Sequence, residues 1–320
     1  MTAFTVPKDG AKVMTIKGTI AGISASGPMT RSGEFPKVDY DGGGGLTATY
    51  GTGASSGQTI SPTSAATAST GVRISKAYPE FEKLALADST LKAQDGLPMY
   101  RFKVTAKQGD VSIAKFTFSV SSSTAAGSNA TTSKFSLYVF TDSGFSSPDG
   151  DYSGTNNSGG LLNSGNCYSG RVANTTNSFG GPGNLGAGSP AVDIYPDQGG
   201  CNTASNTLKI ASGTSRWFEL RASVGTLANS GTAENISVQL EGDAAFPTTH
   251  QAGSDVGEMG TAGLGADVGV QDSSNNDFLC SPRSTTTNSG TALLGDNDWT
   301  NGYGVTGLPA TNMTAQTLSK

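Results

Sequence analysis

The chain predicts an all-β protein, an antiparallel β-sandwich with long Gly/Ser/Asn-rich loops and β-rich terminal extensions. Three observations carry that expectation. Apolar side chains recur at every second position in several runs, the rhythm of a strand with one buried face. No apolar pattern of helical spacing persists beyond about two turns. Glycine supplies 45 of the 320 residues, and Gly, Asn and Ser separate the patterned runs as turns between short strands require.

Taken in order, residues 12–20 form a candidate strand with Met14, Ile16 and Ile20 on one parity. Residues 24–70 are polar, include the glycines at 42–45, and read as linker or extended surface loop, with residues 46–50 a short strand candidate. The clearest β signal begins at Gly71, where Val72 and Ile74 alternate with Arg73 and Ser75 ahead of the run 78–84. In the run 100–106, Tyr100, Phe102, Val104 and Ala106 take every second place, and Gln108, Gly109 and Asp110 supply a turn. Val111 and Ile113 then hold one parity, while Phe116, Phe118 and Val120 hold the other. A phase change of that kind needs one extra residue, which predicts a bulge near Ala114 and Lys115.

Residues 135–140 are a further strand, and 142–206 read as a long loop, either functional or stapled. The rhythm returns at 207–211 and at 217–224. There Phe218, Leu220, Ala222 and Val224 face inward, with Trp217, Glu219 and Arg221 opposite. It recurs at 234–241 through Ile236, Val238 and Leu240, and these last two runs are expected to form a hairpin. The implied organisation is an N-terminal strand-bearing extension and polar linker (1–70), a sandwich core (71–246), and a C-terminal extension packed on it (247–320).

Composition narrows function before any motif does. Only 14% of residues are charged, the net charge is −5 and there is a single histidine. No basic stretch could follow a phosphate backbone, so nucleic acid is not an expected partner. The longest apolar runs fall well short of the ~20 residues of a membrane helix. The opening residues show neither the basic region nor the apolar stretch of a signal peptide. His250 lies in a polar context without a Gly-x-Ser-x-Gly turn, and reads as a surface-loop residue. Glu80 and Glu82 share one strand face and read as a solvated edge rather than a glycosidase pair. Catalytic residues are therefore not expected.

Cys167 and Cys201 are the expected disulfide, which would close a loop of roughly 35 residues in a segment with little core of its own. Cys280 is then left over. Asp149, Asp151 and Ser153 resemble the first half of a calcium loop, but Gly160 stands where the closing glutamate belongs. They read first as an exposed turn, with structural calcium the alternative cofactor; Asp296, Asn297 and Asp298 are a weaker instance. Sequons at Asn129, Asn156, Asn174, Asn235 and Asn312 follow from a composition rich in Asn, Ser and Thr. Trp217 stands open between stacking on a ligand or subunit and covering a small second core; Trp299 and Tyr303 read as such cover, with ligand contact as the other reading.

Several segments carry a resemblance. They are the runs 71–84 and 97–120, the tetrapeptide Asp142, Ser143, Gly144 and Phe145, and the stretches 298–308 and 317–320. Together they resemble large secreted, S-layer-like cell-surface proteins of candidate-phyla (Patescibacteria) bacteria. That resemblance implies an Ig-like sandwich exposed on the cell, with a natural C-terminus at Lys320, and it carries no catalytic residues. The expected function is a non-enzymatic extracellular structural protein that self-associates into a surface layer or filament, with Met14, Ile16 and Ile20 donated as a strand to a neighbouring copy. The alternatives are a glycan-binding adhesin module and a phage virion decoration or fibre protein.

Overall fold

The structure is a computed structural model that describes residues 5–20, 22, 36–40, 50–61, 67–69, 71–124, 132–152, 158–163, 168–171, 191–196, 207–225, 227, 233–243, 277–283, 300–310 and 312–320. Antiparallel strands dominate, and among the described residues there is no α-helix, only two 3-10 turns at Gly150–Tyr152 and Ser158–Gly160. Ahead of the sandwich lie two small ribbons. One pairs β1 (Asp39–Tyr40) with β4 (Thr67–Ala68), the other β2 (Gly51–Thr52) with β3 (Thr59–Ile60).

The first sheet has four strands: β5 (Tyr78–Leu84), β6 (Gln94–Lys107), β12 (Ser215–Val224) and β8 (Thr132–Phe140), in that order. The second, eight-stranded sheet is organised around one long strand, β7 (Val111–Thr124). Two strands lie end to end along each of its sides. On one side are β10 (Ala191–Ile194) and β11 (Leu208–Ile210); on the other are β13 (Glu234–Leu240) and β14 (Phe278–Ser281). Outside these, β9 (Tyr168–Arg171) pairs with β10, β15 (Thr300–Asn301) with β14, and β16 (Gln316–Ser319) with β13. Residues 247–320 thus contribute three strands to the larger sheet.

Alternation explains the core. Phe102 from β6 stacks on Phe218 from β12 with centroids 4.7 Å apart. It meets Phe116 of the opposing sheet edge-on at 5.6 Å. Phe81, Tyr100, Phe118 and Phe278 complete a cluster of rings that locks the sheets face to face. The expected bulge is present: Leu279 opposes Lys115, but Cys280 opposes Ile113, so Ala114 is the extra residue. Skipping it lets Val111 and Ile113 share the core face with Phe116, Phe118 and Val120, all of them fully buried.

Three expectations are corrected. The stretch 142–206, expected to be one long loop, carries β9 and β10, because the short apolar run at Ala191, Val192 and Ile194 is buried against β7. The runs 217–224 and 234–241 do not form a hairpin, because β12 pairs with β6 and β8 while β13 pairs with β7 and β16. The chain crosses from one sheet to the other between them, and both inward apolar sets then meet across the core instead of lining one sheet face. Residues 12–20 are not a strand in this chain. They are exposed and pair with nothing described, since an isolated strand has no partner for its own N–H and C=O groups.

Neither edge of the four-stranded sheet is bare. Along β5, Phe81 N donates to Thr306 O, and the Gln316 side-chain amide donates to Leu84 O. Along β8, Leu162 N donates to Leu137 O and Asp149 N to Val139 O. Asn163 extends that cover, accepting from Leu137 N at 2.7 Å and donating to Phe135 O at 3.0 Å. Each closing segment makes its tightest approach through a glycine in the left-handed region, Gly307 against the Phe81 carbonyl and Gly160 against the Val139 carbonyl.

Candidate functional site

The outward face of the four-stranded sheet carries the most organised polar and aromatic array among the described residues. Strand register builds it: Glu219 on β12 lies opposite Arg101 on β6 and Tyr138 on β8, and Trp217 lies opposite Lys103 and Phe140. Glu219 is buried, at 1% exposure, on what the alternation marks as the solvent face. Two arginines cover it. Arg101 Nε donates to Oε2 at 2.5 Å and Arg221 Nε to Oε1 at 2.5 Å. The charge-assisted bonds from two cations offset the desolvation of this carboxylate.

Each guanidinium also lies over an aromatic ring, Arg101 over Phe145 and Arg221 over Tyr138, both at 4.2 Å from the centroid. Phe145 comes from the loop after β8, where its backbone takes a φ of 55°. Asp142 orders that loop by accepting from Gly144 N, Ser146 N and Ser147 N and from the Ser146 hydroxyl. These donors hold the Asp142 carboxyl below the ordinary carboxylate range, the Ser147 amide most of all. Phe145 in turn packs edge-on against Phe140. Trp217 sits beside this row, half-buried, and its side chain has no ring or hydrogen-bond partner among the described residues. Lys103 pairs with Glu82 at 2.5 Å, and Lys107 with Glu80 at 2.8 Å, so both glutamates sit in exposed ion pairs.

A second surface is the N-terminal arm. Val13 is 95% exposed, Met14 67%, Ile16 63%, Ile20 50% and Val6 49%. Elsewhere, Lys83, Leu84, Ala85, Leu86, Ser89, Gln316 and Thr317 line a groove of about 270 Å3 at the margin between β5 and β16.

The other candidate residues separate. The Asp149 carboxylate is taken by Arg216 Nε and by the Asp151 amide, while Asp151 itself is exposed and Ser153 lies outside the described residues. Among the described residues no group of three or more His, Cys, Asp or Glu is placed to hold a metal. Cys167, Cys201, Trp299 and His250 also lie outside the described residues, and Cys280 is buried and forms no disulfide among the described residues. Tyr303 lies beside Arg73, whose Cζ is 5.9 Å from the ring centroid.

Arg73 belongs to a buried cluster that the sequence does not announce. Its Nη1 donates to Asn301 Oδ1 at 3.1 Å, and burial lowers it to about 10, against the pull of the Cys280, Asp243 and Tyr303 charges. Asp243 accepts from Asp277 N at 2.6 Å, Phe278 N at 3.1 Å and Gly302 N at 2.6 Å. Burial, then the neighbouring Asp277 carboxylate, push Asp243 up to about 7 against those three donors. This cluster fastens β14, β15 and the closing segment of β5 to the end of β13.

No family model and no curated protein matches the chain. One solved structure that matches is described as "AvmM Catalyzes Macrocyclization in Alchivemycin A Biosynthesis". It is 12% identical, with a TM-score of 0.22, over 55% of this chain and 78% of that one, and carries no argument about function.

Proposed function

We propose that this is a non-enzymatic, extracellular structural protein that assembles with copies of itself at a bacterial surface. The observation that carries the reading is the arm. Four large apolar side chains within residues 13–20 stand in solvent beside a sandwich whose strands bury a shared aromatic core and whose smaller sheet has both edges closed. Exposed apolar surface of that kind marks a contact site. Alternation suits addition as a strand, where main-chain bonds hold the arm and every second side chain enters the neighbour.

The groove at the β5–β16 margin offers Leu84, Ala85 and Leu86 of a neighbouring copy as a seat for Met14, Ile16 or Ile20. Burying each of these would contribute about 1.5–3 kcal/mol before ordering costs. Deleting residues 1–25 should abolish ordered assemblies in negative-stain images and leave a monomer by light scattering, with thermal unfolding unchanged. Assemblies that persist without the arm would overturn the reading.

A further inference from the structure

The row Phe145, Arg101, Glu219, Arg221 and Tyr138, with Trp217 beside it, has the parts of a receptor for an acidic sugar. Buried Glu219 holds Arg101 through Nε and Nη2 and Arg221 through Nε, and an aromatic ring centroid lies 4.2 Å from each guanidinium carbon. Their orientation is thus settled before any ligand arrives, which removes an ordering cost from binding. The terminal nitrogens of Arg221 have no acceptor among the described residues, and its side chain remains 32% exposed. Two cations share one carboxylate here, leaving an excess of positive charge on a chain whose net charge is −5. A planar fork of N–H donors matches a carboxylate two bonds at a time. Beside it, Trp217 offers a half-exposed ring of the type that packs on the apolar face of a pyranose.

We propose that this face binds a polysaccharide of carboxylate-bearing pyranoses. Arg221 and Arg101 would take the carboxylate, and Trp217 the ring of an adjacent sugar. The site is separate from the arm, so the protein would bind an acidic surface polymer through one face and its own copies through another.

The test is titration calorimetry of the full chain with polygalacturonate oligomers, beside a neutral glucan of equal length and a short DNA duplex as a polyanion without pyranoses. Binding of polygalacturonate alone is expected. Trp217→Ala, which leaves the Glu219 pairs untouched, should weaken it about tenfold or more, the scale of losing one stacked ring. Arg221→Lys, which keeps the charge and loses the fork, should weaken it comparably, with circular dichroism confirming the fold. No binding, equal binding of glucan or DNA, or unchanged affinity in Trp217→Ala would overturn the proposal. So would loss of self-assembly in Arg221→Lys, which would make a second copy the occupant.

Discussion

The two edges of the four-stranded sheet are closed by the same device and held by different chemistry. At β5 the cover is the segment 302–308, and at β8 it is formed by residues 148–152 and 158–163. Each lays an irregular backbone along the edge strand, and each needs a left-handed glycine where it comes closest, Gly307 or Gly160. Their anchors differ. The β5 cover runs back through Gly302 to the titratable carboxylate of Asp243, whereas the β8 cover is tied by the side-chain amide of Asn163. Two solutions to one hazard, an unpaired strand edge, therefore carry different sensitivities. The arm, by contrast, is left uncovered.

The hardest blow to this comparison is Gly307→Ala. Gly307 has a φ of 81°, and a Cβ there is driven into the Phe81 carbonyl and backbone. The left-handed backbone costs about 1–2 kcal/mol for an L side chain. Displacing the segment also forfeits the Phe81 N to Thr306 O bond, about 1 kcal/mol more. A loss of roughly 3 kcal/mol is expected in urea unfolding, with faster exchange of the Phe81 amide. Gly160→Ala should behave alike at β8 and speed exchange of the Leu162 amide instead. If both variants unfold like the parent, the edges are not sealed in this way.

The anchors differ most under a change of pH. A carboxyl raised to about 7 in the fold, from an ordinary value of 3.8, favours the protonated state on folding. Its stabilisation is full below about pH 4 and is lost as pH rises through about 7, on the order of 4 kcal/mol for that shift. Asp277 acts on it directly, and so does Arg73, which itself interacts with Tyr303 and Cys280. Between pH 5 and pH 8 the Phe81 amide should therefore exchange progressively faster than the chemical rate explains, while the Leu137 amide beside Asn163 should not. Asp243→Asn should flatten that slope. Equal pH dependence at both edges would erase the distinction.

Asn163→Ala probes the second anchor. It strands the Leu137 N–H and the Phe135 carbonyl in a buried setting, for about 2 kcal/mol. The effect should not change with pH. A dependence matching that of Asp243 would mean that the two covers open together.

The sheet's outline was legible in the residues and its closure was not. Strict alternation in 100–106, 135–140 and 218–224 gave strands and inward faces, and the phase slip between Ile113 and Phe116 gave the bulge at Ala114. Alternation cannot say which sheet a strand joins, because a hairpin and a crossing between sheets bury the same parity. That is why the pattern at 217–224 and 234–241 points to a hairpin that the fold does not make. The closing segments are Gly, Asn, Ser and Thr-rich like the loops around them. Nothing local marks Gly160, Asn163 or Gly307, whose roles exist only against a partner distant in sequence. For the candidate site, Trp217, Glu219 and Arg221 were legible as an outward set. The burial of Glu219 was not, since it depends on Arg101, on a strand that precedes β12 by over a hundred residues.

The smallest effect on the folded body sharpens the contrast furthest. Ile16→Ser removes a side chain that is 63% exposed, on a residue that pairs with no strand among the described residues, so unfolding of the isolated chain should shift by less than about 0.5 kcal/mol. The same change should weaken self-association several-fold in sedimentation velocity, because the lost apolar area matters only when a second copy covers it. Val13→Ser lies on the other parity of the arm and is 95% exposed. A donated strand would turn Val13 away from the neighbour, and its replacement should leave association nearly unchanged. Equal effects of the two substitutions would mean that the arm associates without strand register. An effect of Ile16→Ser on unfolding itself would place the arm against the body of its own chain.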